Sequence, residues 1–392
     1  MFHFETNPFR DDHLEPISLT THCTSLYLHL LEEQVKSWDG PISLALFIDR
    51  GSAAAVQYLV NLHKCDRAYT DKLSLHVVYK LSAFQERCQP LPVVTQTMSC
   101  RNLTQKYRKS FLQYLMPPFG IYPINVMRNV ARRGAPSSIQ LISDIEMIFS
   151  FRDDHLEPIS LTTHCTSLYL HLLEEQVKSW DGPISLALFI DRGSAAAVQY
   201  LVNLHNTKFA ERAKKIANEH IKENGKELIV IRRFEIEDKV PVPRTHTALK
   251  KLIQSRLAFE FHHKLFPAGH TIEALWEWFR RSDANRDPYV WEIPYKNPSW
   301  EPQFIMHATD PLSEEGMPTR IRDQQALAYE LCRANYTFLL TSQLFNVHRG
   351  VKRVATTMDS AVAEHQKRLR NFINRVDSTY PRTIARCKKF VM

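Results

Sequence analysis

Ser138-Ile-Gln-Leu-Ile-Ser-Asp-Ile-Glu146 is the stretch that decides the fold. Ser138–Ile142 reads as a buried strand that ends at Asp144. An apolar strand ending in Asp-x-Glu sets two carboxylates two residues apart on one side of the chain. Upstream, Asn125–Arg133 carries a helical pattern. Further back, Ile42–Ile48 is a nearly continuous apolar run, the pattern of a strand covered on both faces by helices. Before it, Ile17–Thr21 is a short β-rich run, and Leu26, Leu30, Leu31 and Val35 fall at helical spacing up to Trp38. Asp39-Gly-Pro41 stops that helix. Ser52 is placed to cap a helix through Leu62, and Leu73–Tyr79 reads as a third strand. This alternation predicts an α/β domain with a doubly wound, mostly parallel sheet. Ligands of such sheets bind at the carboxyl ends of strands, here Thr21-His22-Cys23 and Ser143-Asp-Ile-Glu146.

Phe9–His63 recurs without a single change at Phe151–His205. Structural repeats diverge while keeping their core pattern, so identity points to a recent duplication or an exon counted twice. Two copies are too few for a solenoid. The chain divides accordingly into a nucleotide-sugar-binding half over 1–150, a duplicated β-α-β-α insert over 151–206, and an acceptor-side half with a helical tail over 207–392. In that last part, Phe209–Glu223 and Thr245–Glu260 read as helices and Glu227–Arg232 as a strand. A helix near Asp323–Arg333, a strand pair through Val347 and a helical tail to Arg375 follow. The tryptophans Trp276, Trp278, Trp291 and Trp300 fit either a core or a sugar-stacking wall.

Charge and composition narrow the function. The formal net charge is +8, and two copies of the repeat at −4 each leave +16 on the other 282 residues. Basic surface attracts phosphates, diphosphates, anionic sugars or nucleic acid; among these, nucleic acid is set aside for want of any RNA- or DNA-binding motif. Gly is 10 of 392, about 2.6% against a usual ~7%, and no glycine-rich phosphate loop occurs. No apolar window is long enough to span a bilayer, and the first residues lack the pattern of a signal peptide. Without the second copy's Cys165 the cysteines number six, and none has zinc-site spacing. Two N-glycosylation sequons, Asn102-Leu-Thr and Asn335-Tyr-Thr, lean with the even cysteines toward a secretory lumen. Asn297-Pro-Ser is blocked by its proline.

The carboxylate pair has two readings: solvated acids at a strand end, or hard oxygen ligands that leave positions on Mn²⁺ or Mg²⁺ for a nucleotide-sugar diphosphate. The surrounding stretch Tyr122-Pro-Ile-Asn-Val-Met-Arg-Asn-Val-Ala-Arg-Arg-Gly-Ala-Pro-Ser-Ser-Ile-Gln-Leu-Ile-Ser-Asp-Ile-Glu146 resembles the signature of glycosyltransferase family 49. Pro16-Ile-Ser-Leu-Thr-Thr-His-Cys-Thr-Ser25, Trp300-Glu-Pro-Gln303 and Phe345-Asn-Val-His-Arg-Gly350 agree with it. With the second copy removed, the resemblance runs from about Leu14 to Cys387.

The resemblance implies a GT-A fold with a mixed sheet, a divalent metal (Mn²⁺ or Mg²⁺), a UDP-sugar donor and a glycan or glycoprotein acceptor. It implies glucuronate as the favoured sugar, as in O-mannosyl glycan synthesis, with UDP-GlcNAc or UDP-xylose as alternatives. It also implies a type II membrane protein of the Golgi lumen, with possible homo- or hetero-oligomers with other glycosyltransferases. Carried over by position, Asp144 and Glu146 match the metal motif and His348 the late histidine that completes the metal shell. Asn125, Arg128 and Asn129 sit on the helix beside the donor site, and the strand-end rule adds Thr21 and His22 to the donor-binding residues. Deprotonation of an acceptor hydroxyl needs a base; Asp323 is the candidate, ahead of Glu314 and Glu315. Arg128, Arg349 or Lys352 could meet a donor carboxylate. Read alone, His348 is a loop histidine, Arg128 a capping or ion-pairing residue, and His262-His263 structural, since neighbours on a strand face opposite ways. Three departures from the family stand out: Glu at the second acid, no anchor, and the second copy entering four residues after Glu146. The competing function is a catalytically inactive, lectin-like or scaffold protein.

Overall fold

The computed structural model describes residues 13–48, 53–81, 100, 122–150, 161–165, 184–188, 213–285, 287–317, 322–353 and 362–390. Twelve strands fall in these residues: β1 (Ile17–Thr24), β2 (Ile42–Ile48), β3 (Leu73–Tyr79), β4 (Ile139–Ile142), β5 (Met147–Ser150), β6 (Leu161–Cys165), β7 (Ile184–Leu188), β8 (Glu227–Ile236), β9 (Ala258–Glu260), β10 (Val290–Ile293), β11 (Gln303–His307) and β12 (Thr337–Arg349). Ten of them make one sheet in the order β10-β12-β8-β11-β4-β1-β2-β3, with β5 on β12 and β9 on β8. The α/β class with a mixed sheet is as the GT-A expectation requires.

The sheet is less parallel than the alternation predicts. β3, β2, β1 and β4 run parallel, as does the β8–β12 pair. β11 is antiparallel to both β4 and β8, and β5, β9 and β10 are antiparallel additions. The parallel half is where the sequence alternates β and α. Leu19, Ile42, Leu44 and Leu46 are almost fully buried against helices Leu31–Ser37 and Ala53–Cys65 on one face, while Ala45 and Phe47 pack on helix Ile124–Arg133 on the other. Helix Ile124–Arg133 ends at Gly134, where a Cβ would lie 2.2 Å from the His76 ring, so only glycine lets the helix come that close to β3.

The segments before and after the duplicate share one sheet and one core. The helix at 213–220 buries Ala213, Ile216 and Ala217 against the β1–β2 core. Asn218 then clamps Glu15, donating to its carbonyl at 2.8 Å and accepting from its amide at 2.9 Å. The first copy supplies β1 and β2 of this sheet. The second copy's β6 and β7 pair with each other instead, Leu161 opposite Ile184, in the register that sets Leu19 opposite Ile42.

Several elements differ from expectation. The first helix is a 3₁₀ turn, Ser25–Leu30, leading into Leu31–Ser37. The expected Thr245–Glu260 helix stops at Gln254, with Thr245 capping it through the Ala248 amide at 2.9 Å. Its remainder forms β9, because Ala258 and Phe259 find partners on β8. The expected strand pair through Val347 is a single strand of 13 residues, β12. Its register shifts between Leu340 and Phe345, where Gln343 sits at φ +63°. Such a bulge lets the two halves of a strand serve different neighbours: β10 flanks the first half and β5 the second. Disulfides join Cys65 to Cys100 and Cys332 to Cys387. The expected cap Ser52 and sequon Asn102 lie outside the described residues.

Candidate active site

The parallel register fixes the first pair of the site. Thr20 stands opposite Ile142, so two residues further along His22 stands beside Asp144, with Nε2 3.6 Å from its Oδ1. His22 Nδ1 lies 2.8 Å from the Tyr122 hydroxyl. Thr21 points the other way, as alternation demands, and its Oγ1 is buried with no hydrogen-bond partner among the described residues. Thr21 is therefore not brought to the site with His22.

Asp144 is the electrostatic centre. Arg128 Nη2 lies 3.5 Å from Oδ1 and Arg233 Nη2 3.6 Å from Oδ2, while the Gln324 amide donates to Oδ2 at 3.3 Å. Burial would raise its pKa, but the His22 contact and the two guanidinium charges outweigh burial and hold it far below the usual carboxylate range. Arg128 and Arg233 are both buried, and Arg128 is shared: Nη1 donates to Asp323 Oδ2 at 2.9 Å and to Asn125 Oδ1 at 2.9 Å. The expected base Asp323 is thus engaged in a buried ion pair at the start of helix Asp323–Arg333.

The two asparagines expected near the donor are tied to a loop. Asn125 Nδ2 donates to the Glu314 carbonyl at 2.8 Å. Asn129 donates to the Ser313 carbonyl and accepts from the Ser313 amide, at 2.8 and 2.9 Å. They fix the 313–315 segment against the helix carrying Arg128. An open cleft of about 420 Å³ lies among Arg128, Ser143, Asp144, Arg233, Gln303 and Gln324.

Glu146 departs from Asp144. Residues 143–146 form a turn rather than the end of a strand, closed by the Met147 amide donating to the Asp144 carbonyl at 3.1 Å. After it, β5 pairs with β12 with Met147 opposite His348. That register brings Glu146 Oε2 within 3.8 Å of His348 Nε2. Gly350, at φ +85°, turns the chain so that its carbonyl accepts from His348 Nδ1 at 3.0 Å. With Nδ1 protonated, Nε2 is directed at Glu146, the tautomer a metal-binding imidazole needs. Burial opposes protonation of His348, but Glu146 and the Gly350 carbonyl outweigh it and raise its pKa. A second open space of about 430 Å³ adjoins Glu33, Gln34, Glu146, His348 and Arg349.

These positions bear directly on a metal. Among the described residues no three His, Cys, Asp or Glu side chains converge into a metal-binding group. Glu146 and His348 form a fitting pair of donors, whereas the Asp144 oxygens already face cations. The sequence reading took the two acids as one motif on one side of a strand; the turn sends them to different partners.

Sequence comparison matches residues 16–153, 158–214 and 206–381 to the glycosyltransferase 49 family, described as "Glycosyl-transferase for dystroglycan". The chain belongs to this family. Its class, a glycosyltransferase, follows from that membership. The beta-1,4-glucuronyltransferase 1 of Danio rerio is 24% identical over 400 residues, covering 98% of this chain and 79% of that protein. The protein of the same name from Mus musculus is 21% identical over 389 residues, covering 95% and 77%. Among solved structures, GalNAc-T7 with UDP, GalNAc and Mn²⁺ aligns with a TM-score of 0.41 at 8% identity. That alignment covers 97% of this chain and 53% of the other, so the chain spans about half of that structure's length.

In this family member several residues escaped the sequence reading. Arg233 lies on β8 within an apolar run, where nothing in its spacing singles it out. Glu301 stands in the Trp300-Glu-Pro-Gln303 stretch just before β11, with no spacing that marks it as functional. Half-buried and close to Asp323, it is pushed up to about 7, first by desolvation and then by the Asp323 charge, against the pull of Arg233 and Arg128. Gln325 donates to its Oε1 at 2.7 Å, and His270 Nε2 lies 3.3 Å from its Oε2. His262 and His263, read as strand neighbours, stand instead in a turn after β9 with His262 at φ +53°. His263 Nδ1 lies 2.7 Å from Glu235, and His262 packs edge-on to His270. Desolvation lowers His262 to about 3 and His270 to about 2, so both are neutral imidazoles. Trp278 and Trp300 are core, while Trp276 is exposed.

Proposed function

We propose that this chain transfers a sugar, glucuronate by preference, from a UDP-sugar to a glycan acceptor in the Golgi lumen. The observation that carries this is the juxtaposition built by the β5–β12 register: a Glu146–His348 pair beside a cleft in which Arg128 and Arg233 flank Asp144. Two guanidinium groups at one cleft suit the oxygens of a diphosphate, which they can hold by paired hydrogen bonds. Family membership and the glucuronyltransferase relatives support the donor class and the sugar. The disulfides support an oxidising compartment. Among the described residues no helix is long and apolar enough to cross a membrane.

Glu146 and His348 would hold the Mn²⁺ or Mg²⁺ ion, with Asp144 on the opposite side of the turn. Bound there, the ion would neutralise charge on the diphosphate leaving group. Arg128 and Arg233 orient the diphosphate, and His22, held by Tyr122, keeps Asp144 ionised and in place. A carboxylate takes the proton of the acceptor hydroxyl. Asp323 is one candidate, freed from Arg128 when the guanidinium turns to phosphate. Glu301 is the second, favoured by a pKa near the working range. The pH profile of kcat in Asp323→Asn and Glu301→Gln separates them: only loss of the base removes the acidic limb.

The inactive, lectin-like reading draws on the occupied state of Asp144, whose oxygens already meet two arginines. UDP release from UDP-glucuronate, UDP-GlcNAc and UDP-xylose with Mn²⁺ and a β-linked glycan acceptor tests both. Acceptor-dependent release strongest with UDP-glucuronate supports the proposal. No release from any donor, with the fold intact, leaves the scaffold reading.

A further inference from the structure

The end of the sheet remote from the candidate active site carries a motif that the transfer reaction does not use. Helix Asp323–Arg333 closes in a double-bonded C-terminal turn: the Asn335 amide donates to the Cys332 carbonyl at 3.0 Å and the Tyr336 amide to Leu331 at 3.0 Å. Asn335 takes the left-handed position of this turn at φ +67°. That position favours glycine and tolerates asparagine, which explains a short polar residue here but not the threonine two residues on. Thr337 opens β12, so Asn335-Tyr-Thr is a complete acceptor sequon on a turn. The Asn335 side chain is exposed, and its Oδ1 accepts from the Arg386 guanidinium. Its Nδ2 makes no hydrogen bond among the described residues. Tyr336, between them, is buried and anchors the turn through Asp310 at 2.8 Å.

We propose that Asn335 is an N-glycosylation site and that its glycan stands at the far end of β12 from the transfer chemistry. The eleven steps from Thr337 to His348 span roughly 35 Å at the usual rise of a strand, so the glycan leaves the donor cleft open. The reaction is an exchange without redox change. Asn335 Nδ2 attacks C1 of the sugar of a lipid-diphosphate-linked oligosaccharide. A nitrogen–carbon bond forms, the carbon–oxygen bond to the lipid diphosphate breaks, and the amide loses one proton. The inference rests on the lumenal reading of this protein, since that donor lipid is met only inside the secretory pathway. Asn297-Pro-Ser, also on a turn, cannot compete because proline occupies its middle position.

The test expresses the full chain behind a cleavable secretory leader in mammalian cells, so that the compartment is imposed rather than assumed. Peptide mass spectrometry after amidase release in heavy-oxygen water reads Asn335 directly. The expected result is conversion of Asn335 to labelled aspartate in most of the secreted chain. Asn335→Gly, which suits the left-handed turn, should remove one glycan step on a gel while the Cys332–Cys387 disulfide and UDP release persist. Thr337→Val should remove the same step with Asn335 still present, and Thr337→Ser should keep it. An unmodified Asn335 peptide in chains whose Cys332–Cys387 disulfide has formed would overturn the proposal. It would leave the transferase reading untouched, because UDP release is measured on the same material.

Discussion

Replacing Glu301 by Gln removes one titration and almost nothing else. The amide keeps an oxygen to accept from Gln325 and an N–H to face neutral His270, so both contacts are kept. In the fold the carboxyl titrates at about 7 instead of its ordinary 4.5, because burial and Asp323 penalise the anion more than Arg233 and Arg128 reward it. The folded state therefore keeps a proton that the unfolded chain has already lost. Between pH 4.5 and about 7 unfolding stability falls as pH rises, and above that it levels off. At about 1.4 kcal/mol per pH unit, this interval amounts to about 3 kcal/mol of stability present at acid pH and lost by pH 8. Glu301→Gln cannot lose it. Urea titrations at pH 5 and pH 8 measure the difference, since other groups, such as Asp39 and Asp310, titrate alike in both proteins and cancel. The variant should exceed the wild type by less than about 1 kcal/mol at pH 5 and by about 3 kcal/mol at pH 8. Parallel pH dependences would show that Glu301 ionises normally and would remove it from the candidate bases.

Arg128→Met strips the shared cation from Asp323 and Asp144 and should cost about 3–5 kcal/mol of unfolding free energy, as loss of one partner in a buried pair does. Adding Asp323→Asn should recover part of that cost; a loss below about 1 kcal/mol would place the pair in high dielectric, the range of exposed pairs. Glu146→Gln and His348→Ala should each weaken Mn²⁺ at least about 10-fold in a calorimetric titration, with melting temperature unchanged. Equal Mn²⁺ binding in both would return the pair to a structural role. Deleting residues 151–206 should keep or raise soluble yield, melting temperature and UDP release, because β6 and β7 form no ladder with the ten-stranded sheet; an unfolded deletion chain would show that the second copy belongs to the core.

The parallel half of the fold was legible because its strands are apolar on both faces. Ile42–Ile48 and Leu73–Tyr79 coincide with β2 and β3 residue for residue. The antiparallel half was harder. β9 is three residues long and forms only because β8 offers an edge, so its sequence passes as the end of a helix. β5 is four residues entered through a turn, and that turn alone separates Asp144 from Glu146. The candidate site was half visible. Asn125, Arg128 and Asn129 were found by motif, but their division of labour was not: Arg128 faces the acids while the asparagines hold the 313–315 loop. Arg233 and Glu301 depend on contacts between β8, β11's lead-in and helix Asp323–Arg333, which are far apart in sequence and leave no local pattern.

The second copy has a consequence for how the chain reaches its fold. β6 and β7 reproduce the register of β1 and β2, and their residues are identical to those that fill the slot between β4 and β3. At the level of pairing energy, β4 and β3 have no means of telling one strand pair from the other. Discrimination falls to chain connectivity: β2 reaches β3 by 24 residues, Asp49–Lys72, whereas β7 would have to reach backwards. The native choice is then a matter of order of arrival, since the first copy leaves the ribosome earlier and can close on β3 before the second exists. Refolding of the complete chain from denaturant lacks that order and should split into a direct phase and a slower one in which a misplaced second copy is expelled, a kinetic division that a chain without residues 151–206 would not show.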